Sequence, residues 1–139
     1  MKKLLELRNL QKHYPVRGGV LRHQVASVKA LDGIDLDIFR GECLGLVGES
    51  GCGKTTTGKA IIRLHRPTGG SVFYHRGNGH APVDIATMPR RSLKREGIRG
   101  RLQMVFQDPT TSLNPRMLVK NIIAEPLREQ PSMDSRALE

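Results

Sequence analysis

The spacing of apolar residues predicts two strands near the N-terminus. Residues 4–10 contain four leucines and predict a short first strand. Residues 34–38 alternate between Ile or Leu and Asp, the period of two that is typical of a half-buried strand. Between them, residues 15–29 begin at a proline, contain the pair Gly18-Gly19 and predict a turn-rich connection.

Continuous apolar runs predict further strands. Residues 43–47 and 102–106 are each apolar over most of their length, which is typical of strands buried on both faces. A shorter strand is expected at residues 71–74, and residues 76–82 predict a polar loop.

Helical periodicity begins directly after three closely spaced glycines. In residues 54–64, apolar or small side chains recur three and four positions apart on one face. A basic helical stretch is expected at residues 89–101 and an amphipathic segment at residues 118–127. Strands that alternate with helices predict an α/β layer architecture.

Composition narrows the class of protein. The 139 residues contain no apolar run near the roughly 18 residues of a membrane span, which excludes an integral membrane protein. Two cysteines, Cys43 and Cys52, cannot build a disulfide framework, and we expect a cytosolic protein. The 23 Lys and Arg against 13 Asp and Glu give a net charge of +10. This charge is compatible with binding to nucleic acid, to an anionic membrane surface or to polyanionic ligands, and also with an ordinary basic surface.

One motif carries specific chemistry. The glycine spacing and the closing Lys-Thr pair fit a phosphate-binding loop between the predicted strand 43–47 and the predicted helix. Glycines let successive backbone N–H groups turn inward around an anion, and the helix N-terminus that follows favours a phosphate. The eight residues of the loop are Gly48, Glu49, Ser50, Gly51, Cys52, Gly53, Lys54 and Thr55. We therefore predict nucleotide binding, with Lys54 reaching the β and γ phosphates and the Thr55 hydroxyl suited to Mg²⁺.

Three segments resemble one family. Residues 28–72, VKALDGIDLDIFRGECLGLVGESGCGKTTTGKAIIRLHRPTGGSV, resemble the opening of an ABC-transporter ATPase domain. Residues 103–116, QMVFQDPTTSLNPR, and residues 12–22, KHYPVRGGVLR, resemble the oligopeptide/dipeptide importer branch. The implied fold is α/β: a P-loop NTPase core with an antiparallel β portion and the start of a helical subdomain. The resemblance implies that residues 1–107 form the core through the Q-loop and that residues 108–139 begin the helical subdomain.

The resemblance also implies roles for individual residues. Tyr14 falls where the family places the aromatic ring that stacks on adenine, although packing at a strand end is an alternative for this side chain. Gly48 to Thr55 would hold the phosphates, and Thr56 would bond the α phosphate. Gln107 would be the Q-loop glutamine, reaching Mg²⁺ or the attacking water and connecting to the membrane subunit. Lys54 and Gln107 are thus the expected catalytic residues, and Thr55 and Gln107 the expected metal contacts.

A rival interpretation of Gln107 is that residues 102–106 followed by Asp108 form a Walker B strand, whose acid holds magnesium. Gln107 intervenes between the apolar run and the acid, which favours the Q-loop. The sequence shows no LSGGQ-like signature, Walker B Asp-Glu pair or switch histidine. We therefore expect the N-terminal portion of a longer protein, which binds ATP without appreciable turnover.

The expected function is the ATP-binding component of an ABC importer for oligopeptides or dipeptides, or for a related small solute such as nickel. Its expected partners are the membrane subunits, a second ATPase subunit and, indirectly, a substrate-binding protein, at the inner face of the cell membrane. The alternatives are an ABC-type ATPase acting on nucleic acid and a non-functional remnant. Nucleic acid is the less favoured partner, because the basic stretch also fits a solvated helix face. Its cations are Arg90, Arg91, Lys94, Arg95, Arg99 and Arg101.

Overall fold

The structure, a computed structural model, describes residues 1–18, 23–77, 79–107 and 113–128. The chain divides into two compact units, Met1–Met88 and Pro89–Glu139. Among the described residues, none of the helices has both the length and the apolar character needed to cross a membrane.

The first unit is built on an antiparallel sheet of four strands. The strands are β1 (Lys3–Gly18), β2 (His23–Phe39), β3 (Gly69–Tyr74) and β4 (Val83–Asp84). Their order in the sheet is β2-β1-β3-β4, so the long first strand lies between β2 and β3. β1 and β2 pair along their whole length, from Lys3 opposite Phe39 to Gly18 opposite His23.

The core of this unit lies on one face of β1. Leu5, Leu7 and Leu10 are buried, although a regular strand would turn Leu10 to the opposite face from Leu7. The pairing register shifts between Leu7 and Leu10, where Asn9 has a φ of 47° and donates its N–H to Asp35 Oδ1 at 2.8 Å. This irregularity restores the inward direction of Leu10. The leucines are buried together with other apolar side chains of the unit, among them Leu31, Ala60, Val72, Tyr74 and Ile85.

The described helices are short. The first unit contains α1 (Lys54–Ile61), which directly follows the glycine-rich loop. The second unit contains α2 (Arg90–Arg95), α3 (Ile98–Arg101) and α4 (Val119–Arg128). Gly97, with a φ of 66°, separates α2 from α3, and Leu93 and Ile98 are buried on either side of it.

Several predicted elements are confirmed. β3 contains the expected strand at residues 71–74, and the helix after the loop begins at Lys54. The basic stretch is helical but is interrupted at Gly97, because a left-handed residue cannot continue an α-helix. The amphipathic segment forms α4.

Other predictions are wrong. Residues 43–47 and 102–106 form no strand, and Val47 and Val105 are 91% and 96% exposed. An apolar run becomes a strand only beside hydrogen-bonded neighbours, and neither segment has a paired neighbour among the described residues. The prediction of a turn-rich stretch over residues 15–29 is also partly wrong, since residues 15–18 and 23–29 continue the β1–β2 pairing. The two-residue strand β4 was not expected.

Candidate phosphate-binding site

Near the end of the glycine-rich loop, one position has a backbone conformation that only glycine adopts without strain. Gly53 precedes α1 with a φ of 97°, in the left-handed region. A Cβ at this position would lie 2.6 Å from the carbonyl oxygen of Ala30 and 3.0 Å from Leu31 Cδ2. Because a backbone oxygen in β2 cannot move aside, Gly53 lets the loop approach the sheet closely.

The start of α1 is anchored by a buried threonine. The N–H of Thr57 donates to the carbonyl oxygen of Gly53 at 2.8 Å, and its Oγ1 donates to the same oxygen at 3.0 Å. Thr57 is 3% exposed and is the buried polar residue of the described core. These two bonds fix the direction in which the first turn of α1 points.

Lys54 folds back into the loop. Its Nζ donates to the carbonyl oxygens of Gly48 at 2.7 Å and Glu49 at 2.6 Å. Cys52 Sγ lies 3.4 Å from the same nitrogen. The ammonium therefore draws the two ends of the loop together and places a positive charge at its centre.

The N-terminus of α1 offers unpaired donors next to that charge. The N–H groups of the first helical residues, Lys54, Thr55 and Thr56, have no acceptor within the helix. No side chain caps this end of the helix, and its first turn contains no acidic residue. The positive end of the helix dipole repels a lysine ammonium at the helix N-terminus. An anion bound there is stabilised by both the dipole and the ammonium. The site is thus suited to a phosphate group.

Side chains around the loop are accessible. Glu49, Ser50, Cys52 and Thr55 are exposed, and Thr56 is half-buried. Among the described residues, no group of three or more His, Cys, Asp or Glu side chains is placed to hold a metal ion. The Thr55 hydroxyl is accessible beside the phosphate-binding donors, so a metal held there would depend on oxygens of a bound ligand.

Tyr14 lies on β1 in the same unit, with its side chain half-buried. Its hydroxyl is 2.6 Å from Nδ1 of His65, and the two rings meet edge to face at 84° with centroids 6.0 Å apart. Lys12 Nζ lies 4.9 Å from the centre of the tyrosine ring. The ring is therefore held from two directions and is not packed into the core.

Gln107 is exposed and belongs to the second unit, where it follows residues 103–106, which lie outside any helix or strand. Asp108, the acid of the rival Walker B interpretation, lies outside the described residues. All six cations of the basic stretch are exposed, as a solvated helix face requires. Both the role of Gln107 and the division of the chain at residue 107 stay predictions.

Sequence reasoning missed His65, which lies 51 positions from its partner Tyr14. The histidine follows a predicted helix and precedes Pro67, so its position looked like an ordinary helix end. A long-range pairing of this kind has no local signal.

Comparisons with known proteins identify the family. The sequence profile described as ABC transporter matches residues 31–139, which include the whole loop and α1. The chain belongs to this family. Among its curated relatives, the oligopeptide transport ATP-binding protein AppF of Bacillus subtilis is 46% identical over 123 residues. OppF of the same organism is 47% identical over 126 residues, and OppF of Lactococcus lactis is 42% identical over 135.

These relatives are considerably longer than the ABC transporter chain described here. The AppF match covers 88% of this chain but 35% of AppF, and the matches to the two OppF proteins cover 36% and 40% of those relatives. The chain thus spans about a third of the curated relatives it matches. The resemblance to ATP-binding subunits of oligopeptide transporters is confirmed, and the alternative of a nucleic-acid ATPase gains no support from these relatives.

Solved structures confirm the fold class. The ATP-binding cassette MJ0796, in a dimeric post-hydrolysis state bound to ADP and Pi, matches with a TM-score of 0.72 and 24% identity. That match covers 97% of this chain and 52% of MJ0796. A nucleotide-free ATP-binding cassette from an ABC transporter matches with a TM-score of 0.56 and 23% identity, covering 98% and 44% of the two chains. The structure therefore has the fold of part of an ATP-binding cassette, with the expected antiparallel β portion.

Proposed function

We propose that this chain is the ATP-binding portion of an ABC importer for oligopeptides or dipeptides. The observation that carries the proposal is the placement of Lys54, whose ammonium lies inside a glycine loop at the N-terminus of α1. The backbone N–H groups of Lys54, Thr55 and Thr56 lie at the same helix end as the Lys54 ammonium. The first turn of α1 contains no acidic residue. This arrangement suits the triphosphate of a nucleotide.

The residues of the loop would divide the work of holding ATP. The loop from Gly48 to Thr55 would hold the phosphates, with Lys54 reaching the β and γ phosphates and Thr56 bonding the α phosphate. Thr55 would contact Mg²⁺ held with the nucleotide, and Gln107 would act as the Q-loop glutamine. Bound magnesium would neutralise charge on the phosphates during phosphoryl transfer. Tyr14 would supply an aromatic face for adenine.

The relatives support a proposal for the transported substrate and the partners. The named relatives are oligopeptide transport ATP-binding proteins, so peptides are the proposed cargo of the full-length protein. Membrane subunits, a second ATPase subunit and, indirectly, a substrate-binding protein are the proposed partners, on the cytoplasmic face of the membrane. The dimeric MJ0796 cassette supports the second ATPase subunit.

Isothermal titration calorimetry of the chain with ATP, in the presence and absence of Mg²⁺, tests the proposal. We expect saturable binding of ATP that strengthens with Mg²⁺, and weaker binding of AMP, which lacks the β and γ phosphates. Equal affinity for AMP and ATP would contradict a role for the loop as a triphosphate site. No binding of any nucleotide would remove the proposed function altogether.

A further inference from the structure

The tyrosine ring proposed for the base is connected to the phosphate loop through a single helix. His65, whose Nδ1 lies 2.6 Å from the hydroxyl of Tyr14, follows the last turn of α1. The N–H groups of Leu64 and His65 both donate to the carbonyl oxygen of Lys59, at 2.9 and 3.0 Å. His65 is therefore fixed to the C-terminal end of the helix whose N-terminal end presents the phosphate donors.

The segment after α1 is also tied to β1 by bonds that do not involve the histidine ring. Lys12 Nζ donates to the carbonyl oxygen of Arg66 at 2.8 Å. The N–H of His13 donates to Thr68 Oγ1 at 3.0 Å, and the N–H of Thr68 donates to the carbonyl oxygen of Gln11 at 2.9 Å. These bonds hold the backbone of the two segments together without the ring of His65, so the contact of that ring with Tyr14 is a separate link.

The contact restricts the tyrosine at both its hydroxyl and its ring edge. The hydrogen bond fixes the hydroxyl, and the edge-to-face contact at 84° fixes the plane of the ring. Lys12 lies 4.9 Å from the ring centre, over the ring. An aromatic surface that is already oriented loses less side-chain entropy when a second ring stacks on it.

We propose that His65 is a positioning residue for the nucleotide base, which sets the orientation of the Tyr14 ring relative to the phosphate loop. This inference rests on the proposed function and adds to it a residue that contacts neither the base nor the phosphates. It assigns His65 to recognition of the base alone. Phosphate binding, which depends on the other end of α1, is independent of the histidine ring.

Calorimetric titration of the full chain with ATP and with inorganic tripolyphosphate separates the two effects. His65→Ala and Tyr14→Phe should each weaken ATP binding by about three- to tenfold, the range of one hydrogen bond. Neither should change the affinity for tripolyphosphate. The double variant should lose no more affinity than His65→Ala alone, because that substitution already removes the hydrogen bond that Tyr14→Phe removes.

Two further variants sharpen the experiment. His65→Asn keeps a polar atom close to the position of Nδ1 and should recover part of the affinity for ATP. His80→Ala removes an exposed histidine of the same unit and serves as the matched control, with unchanged affinity for both ligands. Circular dichroism of each variant confirms that the chain remains folded.

Each other result overturns the inference. Equal weakening of ATP and tripolyphosphate by His65→Ala would show that the histidine supports the whole site and not the base. Additive losses in the double variant, or no loss in either single variant, would show that the contact does not position the ring. These results differ from a failure of the proposed function, in which the unmodified chain would bind neither ATP nor tripolyphosphate.

Discussion

The ammonium of Lys54 donates to the carbonyl oxygen of Gly48, 2.7 Å away, and so links the seventh residue of the glycine loop to its first. The same nitrogen donates to the carbonyl oxygen of Glu49. One side chain therefore both shapes the loop and supplies its positive charge. The conformation of the loop and the binding of an anion therefore depend on the same side chain.

Lys54→Ala should lower the affinity for ATP by roughly one to two orders of magnitude, the effect of losing a hydrogen bond from a charged group. Calorimetric titration with ATP and tripolyphosphate should show the loss for both ligands, because Lys54 acts on phosphates. Lys59→Ala, in the last turn of the same helix, is the matched control and should bind both ligands normally. Unchanged affinity in Lys54→Ala would refute the phosphate loop.

Gly53→Ala should destabilise the first unit by about 1–3 kcal/mol, because an L-residue is strained at a φ of 97°. Its Cβ would also meet the carbonyl oxygen of Ala30 at 2.6 Å. Urea unfolding followed by circular dichroism measures the change. Gly100→Ala is the control, since nothing lies within 4 Å of a Cβ there. A Gly53→Ala chain as stable as the unmodified one would show that the loop does not need this conformation.

The sequence predicted the loop and α1 because both are determined by residues close together. The glycine spacing, the lysine and the helical period lie within residues 48–64, and each has a local conformational cause. Gly53 illustrates this directly: its left-handed conformation is one that glycine adopts without strain. The resemblance to the family rested on three segments, residues 12–22, 28–72 and 103–116, of which the loop is one part.

Long-range pairing could not be predicted in the same way. Residues 43–47 have the composition of a buried strand. A strand also needs hydrogen-bonded neighbours, and composition does not identify them. The β1–β2 pairing continues to Gly18 opposite His23, whereas Pro15 and the glycine pair predicted a turn-rich stretch over residues 15–29. The contact of Tyr14 with His65 depends on where the end of α1 meets β1, which periodicity does not determine.

Asp84→Ala should destabilise the first unit by about 2–3 kcal/mol, because it removes acceptors from buried backbone donors. Oδ1 of Asp84 accepts the N–H groups of Val72 at 3.0 Å and Ala86 at 2.9 Å. Its Oδ2 accepts the Thr87 hydroxyl at 3.2 Å. Asp84→Asn keeps an oxygen for both amides and should lose less than half as much stability. Equal losses in the two variants, measured by urea unfolding, would contradict this account of the turn after β4.

A cluster of opposite charges on β1 and β2 predicts how stability depends on pH. Asp37 lies 3.0 Å from Lys3 Nζ and 2.8 Å from Arg8 Nη2. The hydrogen bond from Lys3 lowers the pKa of Asp37, and the Arg8 guanidinium lowers it further, against the opposing effect of desolvation. For Glu6, desolvation raises the pKa, but His75, Lys3 and Arg8 together outweigh it and leave the pKa lowered.

Because both carboxyl groups have a lower pKa in the folded chain, the unfolded chain takes up protons first on acidification. The stabilisation should be complete at neutral pH and should be lost as pH falls below about 4, through the pKa values of the folded state. Asp37→Asn should therefore reduce the free energy of unfolding at pH 7 and have a progressively smaller effect towards low pH. Urea unfolding of both chains over this pH range checks the trend, and high salt should shrink the difference at pH 7, since these side chains are partly exposed. A difference between the two chains that stays constant with pH would show that Asp37 stabilises the fold by packing and not by charge.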